Sequence, residues 1–218
     1  MPTAAPYRYE AQAWRTGLSR IAGVDEAGRG PLAGPVVAAA VVIAPDRRIK
    51  GLCDSKVLPA EKREALFAVI HERAVAIGVG VVDHLTIDRI NILEATRVAM
   101  MQALAGLVVA PELVITDFVK LRECPCPQRN LVDGDARCAT VAAASIVAKV
   151  TRDRLMARLG LAHPGYGFER HMGYSVPEHF EALERLGPTI HHRRSFAPVA
   201  ALLGLPVAAG EPPPELPL

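Results

Sequence analysis

The feature that most constrains this chain is the stretch 21–43, IAGVDEAGRGPLAGPVVAAAVVI. Two apolar runs flank a pair of acids, Asp25 and Glu26, and a Gly28-Arg29-Gly30 turn. The first run reads as a strand over 20–25. The second, 36–43, is continuously apolar, as in a strand covered on both faces. The Gly/Pro-rich segment between them predicts a hairpin with a long loop. An ionised carboxylate at the end of a buried strand is costly unless it is paired or bound to a cation. Two adjacent ones need a chemical reason.

The rest of the chain supplies partners for this hairpin. Further strands are predicted at 76–83, 113–117 and, briefly, 130–132. Helical periodicity covers 60–73, 86–107 with Thr86 as its N-cap, 141–160, 177–186 and 196–203. The order β-β-α-β-α-β-β-α, then helices, predicts an α/β layer fold with a mixed sheet and a small helical C-terminal part from about 161. The 218 residues suit one such domain, over 20–204. Residues 1–19 read as a loosely held arm whose Tyr7, Tyr9 and Trp14 pack on the domain. Residues 205–218 read as a disordered Pro-rich tail.

Half of the residues are hydrophobic and 22% are charged, a globular balance. The net charge of +2 permits a polyanionic partner without demanding one. No secretory signal and no run long enough to span a bilayer is visible, so a cytoplasmic protein without membrane contact is expected. Its four cysteines are then reduced. Cys124 and Cys126 lack the further ligands of a zinc site, so free thiols are expected.

A second strand also ends on an acid, Asp117. If the two strands lie side by side and parallel, their acids are neighbours, and Asp135, just ahead of the 141–160 helix, can close the group. Taken alone, Asp117 is equally an ordinary strand-end residue, and Asp135 in its Asp-Gly-Asp context is more simply a turn residue. Together four carboxylates repel unless a cation sits among them. An oxygen-only donor set suits Mg²⁺ or Mn²⁺, and such clusters serve two-metal phosphoryl chemistry. Asp25 and Glu26 point to opposite faces of a regular strand, so the strand must twist or end there for both to serve one site. On the following helix Ser145, Lys149 and Arg152 form one polar stripe, either a solvent face or a cationic complement to the acids.

In order along the chain, these motifs resemble the ribonuclease HII family. The resemblance rests on Gly23-Val24-Asp25-Glu26-Ala27-Gly28-Arg29-Gly30-Pro31-Leu32, Asp54-Ser55-Lys56, Asn91-Ile92-Leu93 and Gly134-Asp135. It continues through Ala143-Ala144-Ser145-Ile146-Val147-Ala148-Lys149, Tyr166-Gly167-Phe168 and His191-His192-Arg193-Arg194-Ser195-Phe196. It implies a ribonuclease H-like fold and an endonuclease that cuts the RNA strand of RNA–DNA hybrids and duplex DNA at embedded ribonucleotides. Ends with 3′-hydroxyl and 5′-phosphate are implied, with two Mn²⁺ or Mg²⁺ ions. By the same resemblance Asp25, Glu26, Asp117 and Asp135 are the catalytic and metal-binding acids. Gly28, Arg29 and Gly30 meet the 2′-hydroxyl, the group that separates RNA from DNA. Tyr166 packs on the sugar at the RNA–DNA junction. Lys56, Ser145 and Lys149 complete the nucleic-acid contacts. A monomer is expected, with a sliding clamp as a partner for the tail.

Four departures from the family pattern stand out: Val57 after Asp-Ser-Lys, Phe118 for a glycine after the third acid, and Asp133 and Met172 for lysines. Three of them remove positive charge, which predicts weaker or less salt-dependent substrate binding. All four acids remain, which predicts an active enzyme. Two rivals are a Mg²⁺-dependent nuclease or recombinase with another substrate, and a non-catalytic hybrid binder. Gly-Arg-Gly beside the acids argues against the first. The intact acids argue against the second, because a pure binder gains nothing from negative charge facing phosphate.

Overall fold

The computed structural model describes residues 3–206. The elements are α1 (Arg8–Arg15), β1 (Ile21–Ala27), β2 (Val36–Val42), α2 (Ala60–Arg73), β3 (Ala76–Val82), α3 (His84–Ala105), β4 (Leu113–Asp117) and β5 (Gln128–Leu131). Then follow α4 (Gly134–Arg137), α5 (Ala139–Ala162), α6 (Phe168–His171), α7 (Pro177–Leu186) and α8 (Ala197–Leu202). The strands form one mixed sheet in the order β3-β2-β1-β4-β5. The hairpin of β1 and β2 is antiparallel, and β4 lies parallel to β1. The side-by-side arrangement expected for the two acid-ended strands is present.

Alternation along the strands divides the core in two. Ala39 and Val41 of β2 pack with α5, α2 and the loops between them. Ala38, Ala40 and Val42 pack with α3 on the other face. All seven β2 residues are buried, which explains the unbroken apolar run. On β1, Gly23 faces α5 so closely that a Cβ there would lie 2.1 Å from the Thr140 carbonyl carbon. Only glycine lets the start of α5 sit against the strand that carries Asp25.

Two expectations need correction. The 1–19 segment is not loose: it contains α1, whose Glu10 is fully buried. The Glu10 carboxylate accepts the Thr140 amide at 2.7 Å and the Thr140 hydroxyl at 3.1 Å, so it caps the N-terminus of α5. Tyr9 and Ala13 of α1 pack with Ile21 and Ile115. The cap of α3 is Asp83, which accepts the Thr86 amide at 2.8 Å, so the helix begins two residues before Thr86. Within α3, Asn91 breaks the helical backbone (φ 66°) and its side chain caps the second half by accepting the Leu93 and Glu94 amides. The predicted tail lies, from residue 207 on, outside the described residues.

Candidate active site

Strand register brings the first two acids together. Gly23 pairs with Ile115 and Val24 with Thr116 in parallel, so Asp25 and Asp117 are the next step along both strands. Both share the parity of Ile21, Gly23 and Ile115, which face α5. Asp135 arrives from the same side, on α4 just before α5. Carboxylate oxygens of Asp25, Asp117 and Asp135 lie within 4.8 Å of one another.

Glu26 has the opposite parity and is not part of that triad. One of its oxygens meets Arg29 Nη1 at 3.4 Å; the other, Oε2, is buried without a partner among the described residues. A buried carboxylate oxygen left unpaired costs free energy unless a ligand completes it.

The electrostatics agree. Burial raises Asp25 well above the ordinary carboxylate range, and the charges of Glu26 and Asp117 raise it further; bonds from Ser145 and the Glu26 amide act against this. Burial also raises Glu26, with Arg29 opposing and Asp117 adding. Asp117 is raised by burial against the Gly134 amide, which donates to it at 2.8 Å. Asp135 is pushed up to about 6, by burial first and then by Asp54 and Asp117. Four crowded carboxylates resisting ionisation, one with an orphaned oxygen, fit a hard divalent cation held by oxygen donors alone.

Beside the acids lies a cleft of about 280 Å³ lined by Glu26, Gly28–Arg29–Gly30, Ser55, Lys56, Lys149 and Tyr174. Gly28 is buried with φ 97°, and a Cβ there would sit 2.0 Å from Arg152 Nε, so the turn requires glycine for both its backbone and its seat. Lys56 is exposed at the rim; burial lowers its affinity for a proton, but Asp54, Asp135, Asp25 and Asp117 outweigh this and raise it. Lys149 pairs with Asp153 at 2.7 Å and lies 5.8 Å from the centre of the Tyr174 ring.

The expected polar stripe on α5 does not exist as a surface. Ser145 is buried, shares a 2.9 Å hydrogen bond with the Ser55 hydroxyl and lies against Asp25, so it offers no open contact to nucleic acid. Arg152 is fully buried and donates to the carbonyls of Pro35, Met172 and Ala33.

Tyr166 is also displaced from its expected place. It is 8% exposed, stacks on Phe168 and donates its hydroxyl to the Gly187 carbonyl at 2.6 Å. Its ring belongs to the small cluster of Ala33, Met156, Phe168 and Ala182 that anchors the helical C-terminal part. The aromatic at the cleft is Tyr174, 40% exposed, whose ring edge would be 3.8 Å from a Cβ on Gly30. Sequence reasoning missed Tyr174. The usable signal was its place in His171-Met172-Gly173-Tyr174, where Gly173 (φ 78°) swings the chain back so that its own amide oxygen receives Leu32 N–H at 2.8 Å.

A family model described as Ribonuclease HII matches residues 22–199. The Ribonuclease HII of Geobacillus kaustophilus is 57% identical over 196 residues, covering 90% of this chain and 75% of the relative. That of Geobacillus thermodenitrificans is 57% identical over 198 residues, covering 91% and 76%. Among solved structures, the ribonuclease H2 of Pyrococcus horikoshii superposes with a TM-score of 0.73 at 28% identity, over 84% of this chain and 96% of that one. The ribonuclease HII of Archaeoglobus fulgidus, solved as a complex with PCNA, gives 0.69 at 28% identity, over 80% and 93%. No helix among the described residues is long and apolar enough to cross a membrane. By its acids, its fold and these relatives, the chain belongs to the ribonuclease HII family, endoribonucleases that hydrolyse the RNA of RNA–DNA hybrids.

Proposed function

We propose that this ribonuclease also incises duplex DNA at single embedded ribonucleotides, using divalent cations held by Asp25, Glu26, Asp117 and Asp135. The observation that carries this is the contact between Glu26 and Arg29, which joins the acid cluster directly to the Gly28–Arg29–Gly30 turn. When two Mg²⁺ or Mn²⁺ ions are bound, they supply an activated water and stabilise the leaving oxygen of an in-line displacement, giving 3′-hydroxyl and 5′-phosphate ends.

The protein's own residues do the rest. Asp25 and Asp117, fixed by neighbouring strands, provide a rigid donor pair, and Asp135 adds a third carboxylate from a separate element. Ser145 and the Glu26 amide orient Asp25. The backbone of Gly28, Arg29 and Gly30 approaches the ribose, where a 2′-hydroxyl can accept or donate. Tyr174, in place of Tyr166, packs its exposed ring against the neighbouring sugar. Lys56 and Lys149 hold phosphates along the cleft. A clamp contact through the chain's C-terminal residues is part of this reading; the Archaeoglobus relative in complex with PCNA supports it.

The test is a labelled DNA duplex carrying one ribonucleotide, incubated with Mg²⁺, with Mn²⁺ or with EDTA. Metal-dependent nicking at that nucleotide is expected. An intact duplex under conditions that degrade a long hybrid would confine the enzyme to hybrids.

A further inference from the structure

Two arginines are fully buried beneath the cleft, and neither forms a salt bridge with a carboxylate among the described residues. Arg193 donates through Nε to the Gly34 carbonyl at 3.0 Å, through Nη1 to Arg29 at 2.9 Å and through Nη2 to Gly28 at 2.6 Å. Its own amide donates to Leu32 at 2.8 Å. The next residues are tied down as well: the amides of Arg194 and Ser195 both donate to Asp88 on α3 at 2.9 Å. The Phe196 ring lies 5.0 Å from the guanidinium. Arg152 grips three other carbonyls from the opposite side, and Gly28 sits on it.

A buried guanidinium is costly, and a packed apolar side chain could fill the same volume. The geometry gives a reason for tolerating it. A trans peptide unit is planar, with its C=O and the following N–H pointing opposite ways. Carbonyls of Gly28 and Arg29 drawn inward onto Arg193 therefore turn the N–H groups of Arg29 and Gly30 outward. Neither amide donates to an acceptor among the described residues. Both lie in the wall of the cleft that contains Glu26 and Tyr174.

We infer that Arg193 is a positioning residue for substrate discrimination: by holding the carbonyls of Gly28, Arg29 and Gly34 from behind, it aims the Arg29 and Gly30 amides at the 2′-hydroxyl. This rests on the reading of the Gly-Arg-Gly turn as the ribose sensor. Arg193 touches neither metal ligand nor substrate. Its three donors form a rigid fork that a lysine cannot reproduce, since one ammonium cannot span three carbonyls in that plane.

The test measures binding, without metal, of a labelled RNA–DNA hybrid and of the all-DNA duplex of the same sequence, by fluorescence anisotropy in EDTA at low salt. Wild-type protein, Arg193→Lys and Phe196→Leu are compared, with circular dichroism melts to establish folding. The wild type is expected to prefer the hybrid, and Arg193→Lys to lose on the order of tenfold of that preference, the size of a misdirected hydrogen bond. Phe196→Leu, which keeps the arginine but removes the ring beside it, is expected to lose a smaller part. If Arg193→Lys does not fold, Phe196→Leu decides. Equal weakening of both duplexes, or an unchanged preference in the folded variants, overturns the role of Arg193 while leaving the sensing turn intact. A wild type with no preference overturns the sensing turn itself, and this inference with it.

Discussion

Two buried charged regions meet at the cleft, and they are opposite in kind. The acids at the ends of β1 and β4 crowd one another, are raised above their ordinary range, and leave Glu26 Oε2 without a partner. The arginines beneath the turn are equally buried, yet Arg152 and Arg193 direct six donor contacts to six backbone carbonyls. One region is electrostatically incomplete and the other is closed. An incomplete buried site is a binding site in waiting, whereas a closed one is a scaffold. The difference separates the chemistry from what aims it.

The sharpest way to break this contrast is to neutralise the acid side. Asp25→Asn keeps the shape and removes one charge from the triad. Cleavage of a long hybrid is expected to fall by about a thousandfold or more, with hybrid binding retained. Single-turnover cleavage near the wild-type rate would show that Asp25 is not a metal ligand. A smaller effect is expected at the cleft wall beside the acids. Tyr174→Ala is expected to slow nicking at a single ribonucleotide by about tenfold relative to cutting of a long hybrid. Tyr166→Ala is expected to lower the melting temperature, because it empties part of a packed cluster, and to leave that ratio unchanged. The reverse result would return the sugar contact to Tyr166.

The acids also make a prediction about stability without metal. Asp135 has a folded-state pKa near 6 against an ordinary 3.8. The folded protein therefore binds more protons than the unfolded chain across that window, so stability is lost as pH rises through it. In EDTA at pH 7.5, Asp135→Asn is expected to melt about 3 °C or more above the parent. The advantage should shrink as pH falls from 6 toward 4, and Mg²⁺ should stabilise the parent at pH 7.5 but not at pH 4. A variant that is less stable than the parent at pH 7.5 would mean that the acid cluster is not strained.

How much of this was legible follows the same division. The parallel pair of acid-ended strands could be read because apolar runs and their terminal acids are local patterns, and a mixed sheet gives them few places to go. The triad was therefore accessible, although parity alone set Glu26 apart from it. The arginines were not accessible. Arg152 shares a helical face with Ser145 and Lys149, and periodicity marks that face as polar; only the folded chain supplies the carbonyls of Ala33, Pro35 and Met172 that it grips. Tyr166 and Tyr174 sit in similar glycine-containing loops, and sequence does not say which ring turns inward. Glu10 carries no local signal of its role, because its partner, the buried start of α5, is 130 residues away.

Three of the four departures from the family pattern share a property: Phe118, Asp133 and Met172 all have left-handed backbone, with φ of 55°, 54° and 52°. Two of them flank acids, which extends the comparison from charge to backbone. Phe118 follows Asp117 directly and holds its turn by donating its amide to Leu131 at 2.7 Å. A side chain in this conformation costs about 1–2 kcal/mol that glycine avoids. The ring returns little, since Phe118 is 56% exposed. Glycine gives back part of the gain through its larger loss of chain entropy on folding. Phe118→Gly is therefore expected to raise the melting temperature by about 2–4 °C, measured in EDTA so that metal affinity does not enter. A lowered melting temperature would show that the ring packs more than its exposure implies, and that the strain beside the acids is electrostatic alone.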